Sequence, residues 1–420
     1  MKILIYSDYY KKKSGYAKEM RDLIPMFIKA GHQIGYVALG YTGLPVNDNK
    51  DIKVYPADVV ISSPSGKVSS YFAPEILDYA IDDFKPDIVF TRQDYFALKN
   101  IGLVLSRPRG FKWVHWGLVD GEPLGKFGEE PLKWMHEHIF TTEFTKKVVQ
   151  DINPEAEGEV IMPPINPKDW DVFSEEEKKD LDTVKEKLRN KYGLEKHFTD
   201  FIVCVARNQQ RKNLPVLFES IKELKKINPK RNPLLMLISH ETKSKEGNTA
   251  GWDLEHLIRY FGIEENVFIV GRTDDKMLED NAVADIYSMG DIFALPTMGE
   301  GFGLIFGEAM YSGLPIVTTD YSACSEVVKN KGFLVTPNDY VWDTDNVKQA
   351  IVSAKEFAYY LNKALNLSKE KKEEMRKEGF DFVSKLTPEL VSKKILDIFD
   401  KVVEEDKQPL IFKKKNDTKR

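Results

Sequence analysis

The sequence is poor in cysteine and has no long apolar run. Its 420 residues include two cysteines, Cys204 and Cys324, which form neither a disulfide framework nor a zinc-binding pattern. We therefore expect a reducing, cytoplasmic setting. No stretch reaches the roughly 18 apolar residues that a membrane-spanning helix needs. The apolar stretch at the N-terminus is also too short for a signal peptide.

The sequence also lacks an excess of positive charge. The net charge of −5 gives no reason to expect a nucleic-acid partner. The local exception is the basic tail, residues 406–420, which ends in KKKNDTKR. We expect this tail to be a solvated end, and a weak contact with an anionic membrane surface is the alternative. Asp-x-Asp patterns at 169/171, 180/182 and 343/345 lie in charged loop-like or helical contexts, so no metal site is predicted.

Apolar strands alternate with helical stretches through most of the chain. Over residues 1–165 this alternation predicts an α/β domain with a mostly parallel sheet. Residues 166–196 are charged and contain no strand pattern, which indicates an interdomain connection with one helix. The alternation restarts over residues 197–386. A final helix, about 387–405, is predicted to begin at Thr387-Pro388 because a threonine followed by proline is a typical helix start.

Two glutamates flank a glycine-rich turn in the segment PTMGEGFGLIFGEAMYSGLP, residues 296–315. A buried strand is predicted before the turn and a helix after it, and open α/β sheets bind ligands at such strand ends. Gly301 and Gly303 let a ligand approach the backbone at the helix N-terminus, which suits a phosphate. The carboxylates of Glu300 and Glu308 can each accept hydrogen bonds from a sugar or ribose diol. The pattern therefore fits a nucleotide-sugar.

Cations follow the first predicted strand of the second domain, in the segment VARNQQRKNLPVLFESI. Arg207 and Lys212 lie in a strand-to-helix turn and are candidates to hold a diphosphate. Arg211 lies between them, and its position allows it to point away from the site. The alternative interpretation of these cations is a solvated basic turn.

The glycine-rich turn also has an alternative interpretation, as part of a dinucleotide-binding oxidoreductase. GEGFGLIFG contains a weak glycine fingerprint, and Asp320 follows it.

Several segments together resemble retaining glycosyltransferases of family 4. EGFGLIFGEAMYSGLPIVTTD looks like the E-x7-E signature of that family, and VARNQQRKNLPVLFESI resembles its phosphate-binding turn. The likeness extends from about residue 160 to about residue 390. It implies the GT-B fold, two Rossmann-like doubly wound parallel-sheet domains facing across a cleft. Residues 1–165 would be the acceptor-side domain, completed by the C-terminal helix, and residues 197–386 the donor domain.

The resemblance also implies a role for individual residues. Glu300 and the turn formed by Gly301, Phe302 and Gly303 would hold the donor sugar, and Glu308 the ribose. The remaining implied contacts are Arg207 and Lys212 with the diphosphate, Gly15 in the SGYA loop with the substrates, and either His115 or Asp120 with the donor sugar. The sequence leaves the choice between His115 and Asp120 open. Ser14 stands where the family more usually has a first glycine.

The activity implied by the resemblance is transfer of a sugar from a nucleotide-diphosphate donor to an acceptor hydroxyl, with retention at the anomeric carbon. The acceptor would be a saccharide, a lipid-linked molecule or a protein, and neither a cofactor nor a metal is required. Other activities stay open on the same fold. These are a nucleotide-sugar 2-epimerase, a phosphorylase and a non-catalytic nucleotide-sugar-binding protein.

Overall fold

The computed structural model describes residues 1–12, 14–44, 46–58, 60–63, 66–69, 72–124, 129–169, 180–194, 197–240, 251–272, 280–409 and 411. The chain divides into two compact units. The first unit comprises Met1–Pro164, Asp345–Val347 and Leu386–Arg420, and the second comprises Ile165–Thr344 and Lys348–Lys385. Most of the predicted basic tail, residues 412–420, lies outside the described residues. No helix in the described part of the chain is long and apolar enough to cross a membrane.

The first unit contains a sheet whose strand order reverses in its middle. The strands are β1 (Lys2–Asp8), β2 (Gln33–Leu39), β3 (Val46–Asn49), β4 (Ile52–Pro56), β7 (Ile88–Asp94), β8 (Lys112–Leu118), β9 (Glu137–Phe140) and β10 (Gly158–Val160). Their order is β10-β9-β8-β7-β1-β2-β4-β3, and neighbours are parallel except β3 and β4. A separate hairpin pairs β5 (Val60–Ser63) with β6 (Gly66–Ser69).

Helices cover both faces of this first sheet. One face carries α1 (Gly15–Lys29) and the C-terminal helix α14 (Pro388–Glu404), and the other carries α2 (Pro74–Phe84), α3 (Leu98–Leu105), α4 (Glu129–Leu132) and α5 (Glu143–Ile152). The ring of Phe399 in α14 packs 5.1 Å from Phe90 and 6.1 Å from Phe27, centroid to centroid. The hydroxyl of Thr387 accepts a hydrogen bond from Leu390 N–H, so α14 begins where the Thr-Pro pair predicts.

The second unit contains a fully parallel sheet. Its strands are β11 (Asp200–Val205), β12 (Pro233–His240), β13 (Val267–Arg272), β14 (Ile292–Leu295), β15 (Ile316–Thr319) and β16 (Gly332–Val335), in the order β13-β12-β11-β14-β15-β16. Every residue of β11 is buried, as expected for a parallel strand covered on both faces. A separate hairpin follows β16, formed by β17 (Asp339–Trp342) and β18 (Lys348–Ile351).

The helices of the second unit complete the alternating pattern. They are α6 (Leu181–Lys191), α7 (Leu214–Ile227), α8 (Leu254–Phe261), α9 (Asp280–Met289), α10 (Leu304–Tyr311), α11 (Ala323–Val327), α12 (Ala354–Leu365) and α13 (Lys369–Val383). The segment predicted as a connection, residues 166–196, groups with this unit and contains α6. The prediction of two doubly wound α/β domains with mostly parallel sheets is confirmed.

Candidate functional site

Two loops meet where the strand order of the second sheet reverses, beside β11 and β14. Such a reversal opens a crevice at the carboxyl ends of the strands. After β11 comes a 3-10 turn, Gln210–Lys212, and after β14 comes the glycine-rich turn. Met298 N–H donates to the carbonyl of Arg211 at 2.8 Å, and the Thr297 hydroxyl donates to the same carbonyl at 3.2 Å. The two loops are therefore joined through the backbone of the 3-10 turn.

A buried carboxylate lies between two cations at this junction. Lys212 Nζ lies 2.5 Å from Glu300 Oε1, and Arg211 Nη1 lies 3.1 Å from Glu300 Oε2. Arg211 also donates to the carbonyl of Gly299. The structure thus brings two of the predicted site residues, Lys212 and Glu300, into direct contact. Arg211, whose position in the sequence allowed it to point away from the site, lies against Glu300, because its backbone contacts with the 297–298 segment bring its side chain within reach.

The charge state of Glu300 depends on these two cations. Burial by itself would raise the pKa of the Glu300 carboxyl. Lys212 and then Arg211 oppose that effect, and together they lower the pKa from 4.5 to about 2. Glu300 is therefore ionised at neutral pH, and each of its two oxygens contacts one of the two cations.

Ser322 fixes the backbone of Glu300 from the other side. Glu300 N–H donates to Ser322 Oγ at 2.8 Å, and both residues are buried. Ser322 has φ +51° and ψ −141°, a combination that is populated essentially by glycine. A serine held in this conformation is strained. The strain is compensated at least in part by the hydrogen bond that its side chain makes to the turn.

Glu308 lies on the second turn of α10, the helix that follows the glycine-rich turn. Gly303 caps this helix with φ +80°, and a Cβ at that position would lie 2.5 Å from the Phe306 ring. Glycine is therefore required there. The buried Glu308 carboxylate accepts a hydrogen bond from the Tyr287 hydroxyl at 3.0 Å, which orients it.

Arg207 lies at the carboxyl end of β11 and is exposed. In the described part of the chain no ion pair is found for it. The next residue, Asn208, is buried and exchanges two hydrogen bonds with the backbone of Trp252, at 2.7 and 2.9 Å. Arg207 is thus a cation on a fixed turn, available to a ligand. Lys212 is paired with Glu300, whereas Arg207 is exposed to solvent.

In the first unit, Gly15 is the exposed first residue of α1. The residue before it, Ser14, caps the helix by accepting from Ala17 N–H and donates to Asp8 Oδ2 at 2.6 Å. This serine, at a position where the family that the sequence resembles more usually has glycine, therefore fixes the start of α1.

His115 and Asp120 occupy different environments. His115 lies within β8 and is fully buried, and its Nδ1 is 2.8 Å from the Thr91 hydroxyl. Burial lowers its pKa well below the ordinary value. Asp120 follows β8 and is half-buried. Burial, and after it mainly the charge of Asp94, raises the pKa of Tyr16, and Asp120 adds a smaller contribution. Asp120 is therefore near the start of α1, whereas His115 is inside the core.

Sequence patterns did not identify Arg211, Ser322 or Tyr287 as members of the site. Each acts through a contact between residues far apart in the chain, so spacing gives no signal for it. The basic composition of the turn after β11 is the one feature that pointed toward Arg211. Among the described residues, no group of three or more His, Cys, Asp or Glu side chains is arranged to hold a metal ion.

Comparisons with known proteins cover this same region. Residues 199–354 match the family described as glycosyl transferases group 1. A D-inositol 3-phosphate glycosyltransferase of Corynebacterium kroppenstedtii is 31% identical over 137 residues, which is 32% of this chain and 28% of that protein. The match thus spans about a quarter of the relative's length. These likenesses support a glycosyltransferase.

Solved structures resemble the whole chain. A sucrose-phosphate synthase from Thermosynechococcus elongatus superposes with a TM-score of 0.75 over 96% of this chain and 100% of its own, at 16% identity. The chain has the GT-B fold. The Anabaena protein HepE, solved in complex with UDP-glucose, shares this fold with a TM-score of 0.66 and 17% identity over 96% of this chain and 100% of its own. The residues that match the family, 199–354, contain all strands of the second sheet and the two loops that follow β11 and β14.

Proposed function

We propose that this protein is a retaining glycosyltransferase of family 4, which moves a sugar from a nucleotide-diphosphate donor to an acceptor hydroxyl. The observation that carries the proposal is the Lys212–Glu300–Arg211 cluster at the reversal of the second sheet. Glu308 follows it on the next helix, and all four residues lie within the segment that matches glycosyl transferases group 1. HepE, which shares the fold, is described with UDP-glucose, which supports a nucleotide-sugar as the donor.

The donor sugar and the ribose are assigned to the two glutamates. Glu300, with the turn formed by Gly301, Phe302 and Gly303, holds the sugar. The Glu300 carboxylate is fixed by two cations, so it presents a defined acceptor geometry to sugar hydroxyls. Glu308 accepts hydrogen bonds from the ribose diol, while the Tyr287 hydroxyl donates to the same carboxylate and orients it. This arrangement uses carboxylates as hydrogen-bond acceptors and does not require either to act as a base.

The diphosphate is assigned to Arg207, Lys212 and the N-terminus of α10. Arg207 is exposed and has no ion-pair partner in the described residues, so binding a phosphate breaks no ion pair among those residues. The first N–H groups of α10 have no side-chain cap because the N-cap is Gly303, and they favour an anion. These groups stabilise the charge that develops on the leaving diphosphate.

Transfer breaks the bond between the anomeric carbon and the diphosphate oxygen, and it forms a bond from that carbon to the acceptor oxygen. The proton of the acceptor hydroxyl passes to the leaving diphosphate, on the same face of the sugar. The configuration is therefore retained without an enzymatic nucleophile. The reaction as proposed uses no cofactor and no metal ion.

The first unit is proposed to supply the acceptor side, through Gly15 at the start of α1 and through Asp120. We favour Asp120 over His115 as the residue near the donor sugar, because His115 is fully buried within β8. The acceptor class stays as the sequence implies: a saccharide, a lipid-linked molecule or a protein.

The decisive experiment is a thermal-shift panel of nucleotides and nucleotide-sugars on the wild type, Glu308→Ala and the control Glu265→Ala. Glu265 is an exposed glutamate of the same unit. Ligand at about 100 times its dissociation constant adds about 2.7 kcal/mol of stability. We expect one diphosphate-sugar to stabilise the wild type and the control but not Glu308→Ala. Stabilisation by NAD or NADP alone would identify a dinucleotide enzyme instead.

Retention is tested separately with the donor identified in that panel. The anomeric configuration of the product is read by NMR from the coupling constant of the anomeric proton. The same spectra distinguish a nucleotide-sugar 2-epimerase, which converts the donor with no acceptor present. A protein that binds the donor but converts it under neither condition is a non-catalytic binding protein.

A further inference from the structure

The hairpin formed by β17 and β18 presents an aromatic face. Tyr340 pairs with Ala350 and Trp342 pairs with Lys348 across the two strands. Side chains of directly opposed residues, and of residues two apart on one strand, lie on the same face. Tyr340, Trp342 and Lys348 therefore share one face of the hairpin, and we call these three residues the aromatic platform.

The aromatic platform is open to solvent and carries a positive charge. Trp342 is 60% exposed and Tyr340 is 46% exposed. The Lys348 ammonium lies 5.8 Å from the centre of the Trp342 ring and 5.9 Å from that of Tyr340. Within the part of the chain that the structure describes, no carboxylate pairs with Lys348. Two exposed rings next to a lysine ammonium are an unusual surface for a structural hairpin, and such surfaces mark binding sites.

The hairpin is joined to the turn that holds Glu300. Ala350 N–H donates to the Met298 carbonyl at 2.8 Å, and the Tyr321 hydroxyl donates to the Lys348 carbonyl at 3.0 Å. The Tyr321 ring meets the Tyr340 ring edge-on at 5.6 Å, and the residue after Tyr321 is the serine that binds Glu300 N–H. Because a two-stranded hairpin is marginally stable alone, these contacts fix the platform next to the glycine-rich turn.

The residues of the aromatic platform favour a ligand that has both an apolar ring face and a phosphate group. An aromatic face packs against the C–H face of a pyranose ring, and a lysine ammonium binds phosphate as a point charge. An anionic membrane surface is disfavoured, because binding to such a surface takes a cluster of lysines and arginines and residues 339–351 contain a single lysine. We propose that Tyr340, Trp342 and Lys348 form a subsite for a phosphorylated sugar. That this sugar takes part in the transfer reaction rests on the proposed function, whereas its binding does not.

Saturation-transfer NMR on the full chain tests the subsite. The probes are glucose 6-phosphate, mannose 6-phosphate, fructose 6-phosphate and glucose 1-phosphate, with glucose and inorganic phosphate as references. We expect at least one sugar phosphate to bind, and Trp342→Ala and Lys348→Met each to weaken it about tenfold, the loss of one contact of this type. The control Tyr359→Ala, an exposed tyrosine on α12, should bind as the wild type does.

Several outcomes would overturn the subsite. These are no binding of any sugar phosphate, binding that survives Trp342→Ala, and equal affinity for inorganic phosphate. Trp342-dependent sedimentation with phosphatidylserine vesicles would assign the platform to a membrane surface instead. UDP affinity, measured in parallel, separates the two proposals. If a sugar phosphate binds through Trp342 while no nucleotide-sugar binds, the subsite stands and the proposed function fails; unchanged UDP affinity in Trp342→Ala shows that the donor site is intact.

Discussion

Lys212 Nζ and Glu300 Oε1 lie 2.5 Å apart, although the two residues are 88 positions apart in the chain. Both side chains are almost fully buried, with 11% and 6% of their surface exposed. Breaking such a pair by removing one partner leaves an uncompensated charge in the interior. The pair therefore has a structural role as well as the proposed role at the donor sugar.

Lys212→Met is expected to lower the free energy of unfolding at neutral pH by about 3–5 kcal/mol, because Glu300 loses its nearer cation. Chemical denaturation followed by circular dichroism measures this loss. The double variant Lys212→Met/Glu300→Gln removes both charges and should recover most of the stability. If the double variant is no more stable than the single one, the loss came from packing and not from the buried charge.

The pKa of Glu300 predicts a specific pH dependence. Its folded value of about 2 lies below the ordinary 4.5, so the unfolded chain binds a proton more readily. The stabilisation is present above about pH 4.5 and is lost as the pH falls toward about 2. The stability advantage of wild type over Glu300→Gln should therefore shrink across that window. An advantage that stays constant from neutral pH down to about pH 2 would contradict the depressed pKa.

Ser322→Gly and Ser322→Ala should separate strain from hydrogen bonding. Both lose the bond to Glu300 N–H, but glycine adopts the positive φ freely and alanine does not. We expect Ser322→Gly to change the free energy of unfolding by less than about 1 kcal/mol, and Ser322→Ala to lower it by about 1–3 kcal/mol. In a transfer assay Ser322→Gly should lower kcat although it is folded. Wild-type kcat in that variant would show that Ser322 does not position Glu300.

The sequence predicted what depends on local pattern. The strand, turn and helix around Glu300 and Glu308 follow from a short apolar run, glycines and helical spacing, and the structure contains β14, the turn and α10 in that order. The start of α14 followed from Thr387-Pro388 in the same way. Alternating strands and helices were enough to predict two doubly wound sheets, because short connections and handedness leave few other arrangements.

Contacts between distant segments could not be predicted. Arg211 turns toward Glu300 because its carbonyl is held by Met298, and spacing within its own loop contains no trace of that contact. Ser322 occupies a backbone conformation that favours glycine, so its residue type argued against the geometry it adopts. The choice between His115 and Asp120 depended on burial, which an alternating strand leaves ambiguous. The exposed Trp342 could not be told from a core aromatic.

Tyr287→Phe and Glu308→Ala should weaken UDP binding to different extents. Tyr287→Phe leaves the Glu308 carboxylate but removes one hydrogen bond that orients it, so we expect a loss of a few-fold, on the order of 1 kcal/mol. Glu308→Ala removes the charged acceptor and should cost at least about 1.5 kcal/mol, roughly tenfold. Isothermal titration with UDP measures both. Equal UDP affinity in the wild type and both variants would show that Glu308 does not bind the ribose.

Arg207→Ala is expected to weaken ligand binding, whereas Arg211→Ala is expected to lower stability, although the two arginines are only four residues apart. Arg207 is exposed and has no ion pair among the described residues, so its loss should leave stability within about 0.5 kcal/mol. Its loss should nevertheless weaken UDP binding and reduce the dependence of that binding on salt. Arg211 binds Glu300 and the carbonyl of Gly299, so Arg211→Ala should lower the unfolding free energy by more than about 1 kcal/mol.

Titration with UDP at two salt concentrations measures ligand binding by each variant, and chemical denaturation measures its stability. If Arg207→Ala binds UDP as tightly as wild type at low salt, the diphosphate lies elsewhere, and Lys212 with the α10 N-terminus would have to hold it without that arginine.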